Sequence, residues 1–137
     1  MKTSPQGLQA LILREGKRNK AYKDTKGIWT IGVGHTGPEV KEGLVWTDAQ
    51  VMEALAKDIT TAENCINSNV KVELKQNQFD ALASFIFNVG VGAFKSSTML
   101  RMINVKDFAG ATLQFDRWHK PPEITGRRDS EREQFKS

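Results

Sequence analysis

Leu8, Leu11 and Ile12 recur at spacings of three and four ahead of Glu15 and Gly16, which predicts a short helix over residues 4–15. The period then changes to two. Trp29, Ile31 and Val33 alternate with Ile28, Thr30, Gly32 and Gly34, and the preceding AYKD runs into the turn signal DTKG, so residues 21–36 read as a small hairpin. One of its faces is apolar. The other presents Thr30 with glycines, Gly32 and Gly34, a pattern that predicts open volume beside a hydroxyl.

The helical period returns downstream. Thr47 and Gln50 have the spacing of a capping box, with Trp46 placed to pack on Val51, and Val51, Leu55, Ile59, Ala62 and Ile66 then predict a helix of about five turns. Further helices are expected in KQNQFDALASFIFNVG and in SSTMLRMIN, which Gly90 and Gly92 separate, then in DFAGATLQFDRW, which HKPP ends, and in GRRDSEREQF. The organisation is one domain of the α+β class, mainly α. A small β-containing lobe (14–58) is followed by a helical lobe (59–137) on which residues 1–13 pack, and a long helix joining two lobes predicts a cleft between them.

With 137 residues, 39% of them hydrophobic and 26% charged, the chain has the make-up of one folded domain with a real core. Its net charge of +4 is uneven: residues 1–41 carry 8 basic and 3 acidic side chains. Such a field attracts polyanions without choosing among nucleic acid, anionic lipid and bacterial wall polymer. A single cysteine, Cys65, excludes an intramolecular disulfide and a cysteine-based metal site, and its helical setting marks it as core packing. The apolar run LQALIL near the start is shorter than a signal peptide or a membrane span requires, so the expectation is synthesis and residence in a cytoplasm.

Two acids stand out. Glu15 closes a helix, where the macrodipole disfavours a carboxylate, and Asp24 opens the hairpin turn nine residues later. Glycoside hydrolysis needs such a pair, one carboxyl to protonate the leaving oxygen and one carboxylate to hold a water or attack the sugar. Surface acids that balance Lys17, Lys20 and Lys23 satisfy the same spacing, so the pair alone does not decide.

The segment EG…AY.D..GIWTIGVGHTG, with Glu15, Asp24 and Thr30 in order, resembles the catalytic signature of the phage-type lysozymes, the muramidase endolysins of glycoside hydrolase family 24. QNQFDALASFIFNVG, STMLR, the tryptophan at 118 and GRR..ER..F resemble the later blocks of that family, covering about residues 4–136. The resemblance implies a lysozyme-like fold with the active-site cleft between the lobes. It also implies hydrolysis of the bond between N-acetylmuramic acid and N-acetylglucosamine in peptidoglycan, with inversion and without metal or cofactor. Glu15 would be the general acid, Asp24 the ionised partner, and Thr30 the hydroxyl that places the water. His35 is expected to pair with Asp58 in a structural role, Arg127 to reach Glu15 from the last helix, and Phe87 and Asn88 to face the substrate. The aromatic residues, Trp118 included, are expected in the core. Between Trp118 and Gly126 the sequence HKPPEIT departs from relatives, which often place glycines there, and this puts the cleft width in question.

Two other readings stay open. A lytic transglycosylase needs only the acid, and the presence of Asp24 and Thr30 argues against it. A non-catalytic basic module for wall polymer or nucleic acid has only the charge in its support, since no zinc-finger, RNP or helix-turn-helix signature is present. The expected partners are peptidoglycan strands and, functionally, a separate holin-type membrane protein, with neither nucleic acid nor membrane insertion. The protein is expected to be a monomer that waits in the host cytoplasm and then acts on the wall.

Overall fold

The computed structural model describes residues 1–118 and 124–137. In chain order the elements are α1 (Pro5–Glu15), β1 (Arg18–Lys23), β2 (Trp29–Gly32), α2 (Asp48–Asn69), α3 (Gln76–Val89), α4 (Val91–Lys95), α5 (Thr98–Asn104), α6 (Phe108–Gln114), a 3-10 turn (Phe115–Arg117) and α7 (Thr125–Lys136). The protein is α+β and mainly helical, with one two-stranded antiparallel sheet. The chain forms two compact units, Gln9–Thr60 and Met1–Leu8 with Thr61–Ser137.

In Gln9–Thr60, β1 and β2 pair through Arg18↔Gly32, Tyr22↔Thr30 and Lys23↔Trp29, with a register irregularity between Arg18 and Tyr22. A bridge between Lys20 and Val45 extends the edge, and the Trp46 amide donates to the Asn19 carbonyl at 2.7 Å. Ala21, Ile31 and Val40 are buried together, with Trp29, Leu44 and Trp46 packed against them. The capping box forms as the spacing predicts: the Thr47 amide donates to Gln50 Oε1 at 2.8 Å, and the Gln50 amide to Thr47 Oγ1 at 3.1 Å. The helix it opens, α2, has 22 residues, about six turns against the five expected.

At Gly32 the open volume expected on the second face of the hairpin is filled. Thr30 is only 4% exposed and Gly32 is buried. A Cβ at Gly32 would lie 3.4 Å from Trp46 and 3.5 Å from Val51, and the glycine has a φ of 67°. The space the glycine leaves is therefore taken by a tryptophan from fourteen residues downstream.

In the other unit α3 is buried along Phe79–Ile86 and packs mainly on α7. Phe85 meets Phe115 edge-on at 5.5 Å and Trp118 at 5.4 Å, and Phe115 meets Phe135 at 5.6 Å. Each fully buried phenylalanine contributes about 1.5–3 kcal/mol. Cys65 is buried, and Trp118 sits in the aromatic cluster as expected. Two local features differ from the sequence reading. The glycine segment contains a helix of its own, α4, because Phe94 is fully buried and draws the backbone inward. The helix expected through residue 118 tightens into the 3-10 turn at Phe115. Residues 119–123, most of the HKPPEIT segment, lie outside the described residues.

The start of the chain is tied into this unit by polar contacts. The Ser4 amide donates to Asp80 Oδ1 at 3.0 Å, the Ser4 hydroxyl bonds Asp80 Oδ2, and the Gly7 amide donates to Ser4 Oγ at 3.0 Å. Ser4 thus caps the start of α1 and is itself held by α3.

Candidate active site

Glu15 is the last residue of α1 and is half-buried. Gly16 follows with a φ of 78°, and its amide donates to the Ile12 carbonyl at 2.8 Å. A glycine in the left-handed region at this point stops the helix and turns the chain directly into β1. The Arg-Glu-Gly order therefore fixes where the carboxyl stands.

Asp24 opens the hairpin turn. Its Oδ1 accepts from the Lys26 amide at 2.8 Å and the Ile28 amide at 2.9 Å, while the Asp24 amide donates to the Ile28 carbonyl at 2.9 Å. Gly27, with a φ of 79°, allows the chain to wrap around the carboxylate, and its amide donates to the Asp24 carbonyl. One carboxylate oxygen is locked by backbone donors, and among the described residues nothing donates to the other.

The Thr30 hydroxyl donates to the Ile28 carbonyl at 2.9 Å. Its hydrogen is committed, so the hydroxyl has only lone pairs to offer a further partner. The backbone of Ile28 consequently connects the two side chains, its amide on Asp24 and its carbonyl on Thr30. Nothing in the sequence pattern marks this role, because it uses only main-chain atoms.

His35 Nδ1 lies 2.7 Å from Asp58 Oδ2, in the pairing expected from sequence, and Nε2 lies 2.7 Å from Glu39 Oε1. Ionised carboxylates only accept, so both bonds exist together when both ring nitrogens carry hydrogen, that is, when the ring is protonated. Burial by itself lowers the His35 pKa, but hydrogen bonds to Glu39 and Asp58 and the charge of both outweigh it, so the net direction is upward. The Glu39 carboxyl is held below its usual range, first by the His35 hydrogen bond. Sequence reasoning missed Glu39; its position four residues after His35 in an irregular loop carries no periodic signal. A groove of about 280 Å³ beside this clamp, lined by His35, Trp46, Glu53 and Asp58 among others, includes none of Glu15, Asp24 and Thr30.

In the helical unit, Phe87 is half-buried and Asn88 is exposed at the end of α3. The Asn88 side-chain carbonyl accepts from Arg128 Nη2, which leaves its NH2 group for a ligand. Arg127 donates from Nε to Glu131 Oε2 at 3.1 Å and from Nη2 to the Ser84 carbonyl at 2.9 Å. Arg128 and Glu131, both fully buried, pair at 2.6 Å, and the Ser84 hydroxyl donates to Glu131 at 2.5 Å. Ser84, Arg128 and Glu131 were not singled out from sequence; the i, i+3 and i, i+4 spacing of Arg128, Arg127 and Glu131 was the available signal. Among the described residues no cluster of His, Cys, Asp and Glu is arranged to hold a metal.

Residues 13–131 match the model of the phage lysozyme family. The chain belongs to that family. It is 43% identical to the endolysin of Salmonella phage P22 over 145 aligned positions, covering 100% of this chain and 99% of the relative. The crystal structure of a P22 lysozyme point mutant superposes with a TM-score of 0.89 at 43% identity, over 100% of this chain and 99% of that one. The muramidase domain of SpmX from Asticaccaulis excentricus gives a TM-score of 0.89 at 34% identity, over 99% and 98%. The lysozyme fold expected from the sequence blocks is thus the fold of the phage lysozyme family, and the matched segment includes Glu15, Asp24, Thr30, His35, Asp58, Phe87, Asn88 and Arg127.

Proposed function

We propose that the protein is a peptidoglycan-hydrolysing endolysin in which Glu15 is the general acid, Asp24 the ionised partner, and Thr30 a water-positioning acceptor. The observation that carries the roles is the Asp24 turn. Two backbone amides hold Oδ1, leaving Oδ2 to accept from a water or to face positive charge at the anomeric carbon. Ile28 ties Thr30 to the same turn, so a water bonded to Asp24 Oδ2 would meet the Thr30 lone pairs and not its hydrogen.

The reaction read from this arrangement cuts the β-1,4 bond between N-acetylmuramic acid and N-acetylglucosamine. Glu15 gives its proton to the leaving oxygen while water enters from the opposite face, with inversion. Family membership supports the bond class, and the relatives' names, endolysin and muramidase domain, agree with a wall substrate. Asn88, through its NH2 group, and Phe87 are proposed to contact sugar; Arg127 is proposed to support the acid. The protein is further proposed to act as a monomer, and to pass from the host cytoplasm to the wall with the help of a holin-type protein. Among the described residues no helix is long and apolar enough to cross a membrane.

The test is mass spectrometry of glycan ends released from peptidoglycan by wild type and by Glu15→Gln, which keeps shape and removes the donated proton. Reducing muramic acid ends that vanish with the variant are expected. Anhydro ends would replace hydrolysis by transglycosylation, and cleavage retained by a folded Glu15→Gln would remove Glu15 from the role.

A further inference from the structure

The stretch that joins Glu15 to Asp24 is itself chemically unusual. Residues 17–26 contain Lys17, Arg18, Lys20, Lys23 and Lys26 with Asp24 as the one acid. Lys17 is paired with Asp48 at 2.8 Å. Arg18, Lys20, Lys23 and Lys26 are all exposed, and among the described residues none has a carboxylate partner. Two are nevertheless held in place, Arg18 with its guanidinium 4.5 Å over the Tyr22 ring and Lys23 with its ammonium 5.4 Å over the Trp29 ring. A cation stacked on a ring loses less side-chain freedom when it meets an anion, so Arg18 is organised before any partner arrives, and Lys20 shares its face of β1 while Lys23 alternates to the other.

From this strip we infer that the exposed side of β1 is a docking surface for the carboxylates of the peptides that peptidoglycan carries on its muramic acid residues, and this rests on the proposed function above. The position selects the occupant. Helix α1 ends at Glu15 and the turn begins at Asp24, so the cations lie on the segment connecting the acid to its partner, and what they meet is the substrate's own appendage. Charge complementarity supplies the attraction. A nucleic acid fits less well, because both nearby rings are already covered by cations and are not free to stack on bases.

The experiment compares wild type with Arg18→Gln/Lys20→Gln on solubilised peptidoglycan strands, native and with carboxylates amidated by carbodiimide chemistry. The double variant should raise KM about three- to tenfold, the size expected from losing two exposed ion pairs, with kcat unchanged. Amidation should raise the wild-type KM similarly and add nothing to the variant. An unchanged KM, or an equal rise in the control Lys41→Gln/Lys136→Gln, would overturn the inference. So would a wild-type KM that ignores amidation but rises after hydrofluoric acid removes phosphodiester polymers, since phosphate would then be the occupant.

Co-sedimentation with the same insoluble wall material separates this inference from the lysozyme reading. In the Glu15→Gln background, binding that amidation or Arg18→Gln/Lys20→Gln weakens about three- to tenfold supports docking even if the wild type cleaves nothing. Cleavage with binding that neither change affects removes docking and leaves the lysozyme.

Discussion

Replacing Asp58 by Asn tests the clamp around His35, and the structure sets both the size and the pH dependence of the effect. His35 and Asp58 are 18% and 30% exposed at their side chains and meet at 2.7 Å. Such a partly buried charged hydrogen bond lies between an exposed ion pair and a buried charged one, so the substitution should cost about 1–2 kcal/mol. The His35 pKa is raised in the folded protein, burial being outweighed by the hydrogen bonds and charges of Glu39 and Asp58. The unfolded chain binds this proton with a pKa of about 6.5. A raised folded value therefore gives stabilisation that is fully present below about pH 6.5 and is lost as the pH rises through the folded value. Urea unfolding of wild type and Asp58→Asn at pH 5.5 and pH 9 measures this directly. The gap between the two proteins should be about 1–2 kcal/mol at pH 5.5 and shrink below about 0.5 kcal/mol at pH 9. Peptidoglycan cleavage should be largely kept in both. A gap that is equal at the two pH values would refute an imidazolium shared by two carboxylates, and lost cleavage in a fully folded variant would refute a structural role.

Other substitutions probe the second unit. Glu131→Ala leaves Arg128 as a fully buried cation and also removes a partner of Arg127 and Ser84, so it should destabilise by about 3–5 kcal/mol in denaturant unfolding; a loss below about 1 kcal/mol would show that the pair is not a buried charge pair. Gly7→Ala places a Cβ 2.5 Å from Asp80 Cγ, against a carboxylate fixed by Ser4 and Gln76, and should cost about 1–3 kcal/mol. Unchanged stability there would mean that α1 shifts without loss of the Ser4 cap.

What could be read along the chain is what neighbours along the chain decide. The Thr47–Gln50 capping box forms between residues three apart, and the Gly16 helix stop and the DTKG turn depend on backbone preferences of single residues. The Asp24 carboxylate is captured by amides two and four residues ahead, so its placement is also a local event. These are the local features that form as the sequence pattern predicts. Thr30 shows the opposite case. Alternation placed it correctly in a strand, but not the tryptophan that packs beside Gly32, because Trp46 is brought there by a later loop.

The sequence by itself determined the order of helices and the hairpin, the two acids at a helix end and a turn, and the family signature that spans them. Those are properties of periodicity, of short-range hydrogen bonding and of the order of blocks along the chain. Only the tertiary structure decided that Glu39 joins Asp58 around His35, that Thr30 is closed over and donates to Ile28, and that Glu131 is buried between two arginines and Ser84. Ser84 and Glu131 are 47 residues apart in sequence. Which polar group becomes buried, and with whom, follows from how α3 packs on α7, and the cost of leaving any such group unpaired is what makes that packing specific.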